Sequence, residues 1–152
     1  MARALGVICD KKSIQYTSVA EPGPTVEVES DVAVPASVTN RAEQLAWLLD
    51  EAREIVRRWK PDLIYVKRSL GGGMSQVSHE RYEVEAVVQV AAHREGVPIE
   101  MKLTEQVRGS HVPKAKGAYD ALLKRSDVAE RSNVGKRERY LYAVTALKDL
   151  AV

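Results

Sequence analysis

Apolar residues fill positions 4–9 (ALGVIC) without interruption, a run of strand length that suits a central strand covered on both faces. Asp10 to Ser13 is short and polar, as a hairpin connection would be. Residues 14–20 alternate, with Ile14, Tyr16 and Ser18 on one side and Gln15, Thr17 and Val19 on the other, which predicts a second strand. A Glu-Pro-Gly-Pro turn at 21–24 separates it from a third, residues 25–34, where Val26, Val28, Val32 and Val34 oppose Glu27 and Glu29. Ser30 and Asp31 mark an expected bulge or break. Three sequential strands with short turns predict an antiparallel meander.

The period then changes. Asn40 is placed to cap a helix, with Glu43 three residues on. Leu45, Leu48, Leu49, Ala52, Ile55, Val56 and Trp59 recur at helical spacing, and Pro61 ends the helix. A buried strand follows at 62–66, then Lys67, Arg68 and three glycines at 71–73. A helix is expected over about 78–94. Its apolar residues cover most of the circumference, which predicts burial on more than one side, including another subunit. Residues 97–103 alternate as a fifth strand. Thr104 and Glu105 open a short helical turn, and 108–111 read as a loop. Pro113 suits the start of a helix through about 124. Residues 126–135 read as polar and irregular, before a last helix over 136–150. The order β-β-β-α-β-α-β-α-α predicts an α/β fold with a five-stranded mixed sheet and helices on both faces.

Composition narrows this further. One domain, residues 1–152, is expected from the length, burying about 68–70% of its unfolded surface. There is no Phe, so Val, Leu, Ala, Trp and Tyr must fill the core. The single Cys excludes a disulfide framework and a Cys-rich zinc site. No apolar run approaches the roughly 18 residues of a membrane helix, and the N-terminus lacks a signal pattern, so a soluble, reduced, cytoplasmic protein without a membrane partner is expected. The net charge is only +2, but residues 101–152 carry 11 basic against 6 acidic side chains. Lys102, Arg108, Lys114, Lys116, Lys124, Arg125, Arg131, Lys136, Arg137 and Arg139 would contact a polyanion through its phosphates if they cluster; the plainer alternative is a solvated pair of helices.

A strand ending in polar residues, a glycine loop and a helix is how an open α/β sheet presents a site at its strands' carboxyl ends. Lys67, Arg68 and the glycines, Gly72 and Gly73 among them, suit phosphate or nucleic-acid binding, because glycines let backbone N–H groups approach and the cations neutralise charge. The Walker pattern is missing. His79, His93 and His111 lack metal spacing, and Cys9 reads as a small core hydrophobe.

With LGVI at 5–8, PDLIYVK at 61–67, EAVVQVAAHREGVPIEMKLTEQVR at 85–108 and YLYAVTAL at 140–147, the chain resembles the ribonuclease H-like RuvC-type Holliday junction resolvases over nearly its whole length. It is also similar to a small uncharacterised bacterial family of that fold. The resemblance implies four carboxylates holding two divalent metals for phosphodiester hydrolysis. The implied positions fall here on Ile8, on Lys67 and on about Arg137 and Tyr140, none of them acidic. Such a site would repel Mg²⁺ and attract phosphate.

A catalytically degenerate protein is therefore expected, without a metal or other cofactor. It would be a homodimer through the long helix, binding branched or duplex DNA, RNA or another protein through Lys67, Arg68, Gly72, Gly73, Arg108, Lys114, Lys116, Arg137 and Arg139. The alternative is an active Mg²⁺-dependent endonuclease with relocated acids, for which Asp10, Glu85 and Glu138 are the candidates. A third reading is an assembly module without ligand.

Overall fold

A computed structural model describes residues 1–69, 78–112 and 116–152, the side chains of Tyr119 and Ser126 apart. β1 (Arg3–Asp10), β2 (Ser13–Ala20) and β3 (Thr25–Ala33) make the antiparallel meander, with β1 pairing β2 and β2 pairing β3. α1 (Arg41–Trp59) then leads to β4 (Leu63–Lys67), and α2 (His79–Arg94) leads to β5 (Ile99–Lys102). Both helices serve as crossovers, so β4 lies parallel to β1 and β5 parallel to β4. The sheet order is β3-β2-β1-β4-β5, the five-stranded mixed sheet that the alternation predicts. α3 (Thr104–Gly109), α4 (Ala118–Leu123), α5 (Ser126–Ala129) and α6 (Val134–Leu150) complete the described elements.

Strand alternation sorts the core into two layers. Leu5, Val7 and Cys9 of β1 and Ile64 and Val66 of β4 meet Leu48, Ala52, Ile55 and Val56 of α1 and Val84, Val88 and Ala91 of α2. On the other face Ala4, Val19 and Tyr65 meet Leu141, Tyr142, Ala143, Ala146 and Leu147 of α6. α6 seats directly on β1 because Gly6 has no side chain. A Cβ there would stand 2.1 Å from the Arg139 carbonyl oxygen and 2.5 Å from the Ala143 nitrogen. The helix ends are built as the residues dictate. Asn40 Oδ1 accepts the Glu43 amide at 3.1 Å, and Asn133 Oδ1 accepts the Lys136 amide at 2.8 Å.

Three expectations need correction. The register shift lies at Ser18 and Val19, which face Val28 and Val26, so the extra residue in β3 is Glu27 rather than Ser30 or Asp31. Residues 108–109 belong to α3 rather than to a loop. The stretch 126–135 contains α5, because Val128 is fully buried against Leu122 and α6. One apolar anchor among polar neighbours gives no period to read. α2 buries Val84, Glu85, Val88, Ala91 and Ala92 within the chain, while Tyr82, Ala86 and Val90 stand exposed in the single chain, on the side expected to meet another subunit. Pro113 lies outside the described residues.

Candidate functional site

The carboxyl ends of β1 and β4 and the first turn of α6 come together on one face of the sheet. Val7 pairs with Val66, so Ile8 and Lys67 follow side by side, on the α6 face by strand alternation. Ile8 is buried. Lys67 Nζ donates to Glu138 Oε2 at 2.6 Å, and the two side chains keep 26% and 14% of their surface exposed. A charge-assisted bond of this length, partly withdrawn from water, is screened less than a surface pair. Lys102 stands beside Lys67 in register. Its ammonium lies 3.3 Å from Glu100 and over the Tyr65 ring. Tyr65 in turn donates to Asp149, and burial first, then that carboxylate, pushes the phenol well above its ordinary range.

α6 points its amino end at this place. Its first turn, which includes Lys136 and Arg137, carries no acid, so the helix's amino end is positive. The residue of α6 that faces the end of β4 is Glu138. Arg137 turns away and donates Nε to the Arg131 carbonyl at 3.1 Å, and Tyr140 is buried, donating to Asp127 at 2.9 Å. The resemblance implies acids at about Arg137 and Tyr140; in the structure Glu138, which lies between them, is the residue that bonds to Lys67.

Arg68 parts company with Lys67. It borders a cavity of about 240 Å³ with Tyr82, Glu85, Gln89 and Met101, on the α2 side of the sheet. Glu85 is buried there. Its Oε1 accepts the Ser69 amide at 3.1 Å, which ties the chain leaving β4 to α2, while Oε2 has no hydrogen-bond donor among the described residues. Cys9 lies near it. Burial above all, with the charges of Glu85 and Asp10 added and Arg81 opposing, raises the thiol far above its usual range, so it stays a protonated core side chain.

These positions decide whether two divalent metals fit. Asp10 is exposed at the tip of β1 and spends Oδ1 on the Lys11 amide at 2.8 Å. Glu85 belongs to the α2 layer and Glu138 to α6, on opposite faces of the sheet. Asp10, Glu85 and Glu138 are therefore not brought together. Among the described residues no group of three or more His, Cys, Asp or Glu side chains could hold a metal ion. Where the first two acids would stand there are a buried Ile8 and a lysine already bonded to Glu138, a donor set that does not suit Mg²⁺.

The remaining candidate cations are scattered. Arg139 is only 2% exposed, with its guanidinium bonded to Asp31, so it is an internal pairing residue and not a surface contact. Arg108 lies in α3, and Lys116 is exposed ahead of α4. Gly72, Gly73 and Lys114 lie outside the described residues. Sequence reasoning named Lys67 and Glu138 separately and missed their contact; only the facing of α6 reveals it. No described helix is long and apolar enough to cross a membrane.

No protein-family model matches the chain, and no curated protein matches it. Solved structures do. T. thermophilus RuvC in complex with a Holliday junction substrate superposes with a TM-score of 0.74 at 15% identity, covering 95% of this chain and 92% of that one. A second Thermus thermophilus RuvC structure gives 0.72 at 16%, covering 94% and 92%. The yeast mitochondrial Holliday junction resolvase Ydc2 gives 0.67 at 10%, covering 99% and 81%. Identity this low speaks for architecture alone, and on that ground the chain has the ribonuclease H-like fold of the RuvC-type Holliday junction resolvases.

Proposed function

We propose that this protein binds nucleic acid through the cleft at the ends of β1 and β4 and does not cut it. The observation that carries the reading is the Lys67–Glu138 bond at 2.6 Å beside the buried Ile8. Phosphodiester hydrolysis on this fold asks for several carboxylates converging on one point. Here the one carboxylate that reaches that point is neutralised by an ammonium. What remains suits an anion held by charge: Lys67 and the amino end of α6, with Lys136 in its first turn. Contacts of this kind hold phosphates without reading sequence. The resolvase structure that contains a Holliday junction supports branched DNA as the first probe.

The exposed stripe of α2 supports a homodimer. Tyr82, Ala86 and Val90 follow at i, i+4 and i+8, with Tyr82 40% and Val90 43% exposed. A two-fold axis at Ala86 would set Tyr82 of each copy against Val90 of the other. Val90→Glu is expected to give a monomer in sedimentation.

Gel shifts with junction and duplex DNA, at two salt concentrations and with either EDTA or Mn²⁺, test the function. The expected result is a shift at low salt, junction bound at least as well as duplex, no dependence on the metal and no cleavage. Cleavage in Mn²⁺ that Asp10→Asn abolishes would establish a nuclease instead. No shift at low salt would leave only a protein-interaction role.

A further inference from the structure

We infer that Glu138 is a built-in competitor for the anion site on Lys67, so that a phosphodiester oxygen binds only by displacing its carboxylate. The inference rests on the nucleic-acid reading above and adds to it what limits the affinity. Three features place the competitor. Glu138 Oε2 lies 2.6 Å from Lys67 Nζ, the position a bound phosphate oxygen would take on that ammonium. Glu138 follows the first turn of α6, so its carboxylate also sits toward the positive end of the helix, where an external anion would go. And the lysine is reachable: 26% of its side chain is exposed, and its ammonium has three N–H donors, one of which Glu138 takes.

The consequence is a tax on binding. With Glu138 in place, the Lys67 charge is cancelled and a like charge faces the incoming phosphate. The strand meets a competent site only in the fraction of molecules whose carboxylate has swung aside, and its apparent Kd rises by the inverse of that fraction. A fraction of about one tenth corresponds to a tenfold weaker apparent affinity.

Four proteins decide it: the wild type, Glu138→Gln, Lys67→Gln and the double variant, each titrated against a labelled DNA duplex by fluorescence anisotropy at low salt. Glutamine keeps an acceptor for Lys67 and the shape of the side chain, and the double variant leaves no unpaired charge behind. Glu138→Gln should bind about tenfold tighter than wild type, Lys67→Gln several-fold weaker, and the double variant no tighter than Lys67→Gln. That last comparison separates displacement from a general loss of negative charge, which would tighten binding in either background. Binding that weakens in Lys67→Gln but is unchanged in Glu138→Gln overturns the competitor and leaves the nucleic-acid reading standing. Tightening by Glu138→Gln that persists without Lys67 also overturns it. No binding by wild type and Glu138→Gln alike rejects the nucleic-acid reading, and the competitor with it.

Discussion

His111 Nε2 lies 2.8 Å from Thr145 Oγ1, and Thr145 gives its only hydroxyl proton to the Leu141 carbonyl at 2.6 Å. The imidazole must therefore donate from Nε2, which fixes the neutral tautomer. Burial above all, then the positive charges of Arg125 and Lys148, pull its pKa down to about 4 against the opposing pull of Asp127 and Asp149. Because the folded value lies below the unfolded one, the unfolded chain binds the extra proton between about pH 6.5 and pH 4. Stability from the neutral ring is complete above that window and is lost as pH falls through it. The slope is at most about 1.4 kcal/mol per pH unit, and less here because the ring keeps some contact with water. Urea midpoints at pH 7 and pH 5 should differ in the wild type and nearly coincide in His111→Asn. Nothing at the level of sequence separates His111 from His79 or His93. The difference is made by α6, which brings Thr145 to one ring and to neither of the others. Lys67 was legible as a cation at a strand end, since strand period and Pro61 place it there. That Glu138 rather than Arg137 would meet it was not legible, since a one-residue turn of a helix is about 100° and the apolar face of α6 is too broad to set it.

At the scale of elements, the strand and helix periods fixed five strands and the long helices to within a residue or two. They failed where burial depends on a single anchor, as in α5, or where a strand gains a residue, as at Glu27. The close approach of α6 to β1 was also invisible. Gly6 sits inside an apolar strand, where a glycine normally weakens pairing, and its reason is the helix backbone lying against it. Gly6→Ala would drive a methyl group into the Arg139 carbonyl and the Ala143 amide, both main-chain atoms that cannot rotate aside. Overpacking costs typically about 1–3 kcal/mol where side chains can adjust. Here the whole helix must lift, so a loss of at least about 3 kcal/mol is expected, read as a lower urea midpoint. The second reporter is local. Lifting α6 should loosen the Lys67–Glu138 pair, and hydrogen exchange in residues 134–150 should rise more than in α1, which packs on the other face.

On the scale of the whole molecule the charge pattern misleads when read along the chain. The basic last third folds back onto acids elsewhere. Arg131 pairs with Glu29 at 2.9 Å and Arg139 with Asp31, both on β3, while Arg3 holds Glu27 of the same strand at 2.6 Å. Three acids of β3 thus take guanidinium groups from β1, from the turn before α6 and from α6 itself. Lys102 and Arg125 are paired as well, with Glu100 and Asp127. If all ten cations picked out in residues 101–152 met phosphates, the logarithm of the DNA affinity would fall against the logarithm of salt with a slope near about −9. With Lys67 at the cleft mouth, Lys136 in the first turn of α6 and Arg137 turned away, about two phosphates are neutralised and the slope should be about −2. Anisotropy titrations over a series of salt concentrations measure this directly. A shallow slope that drops by about one in Lys136→Ala locates the contacts at the amino end of α6. A slope as steep as the sequence alone suggests would mean that the β3 acids release their arginines to the DNA, and then Asp31→Asn, which frees Arg139 without opening its burial, should change the affinity little while Glu29→Gln, which frees the more exposed Arg131, should raise it.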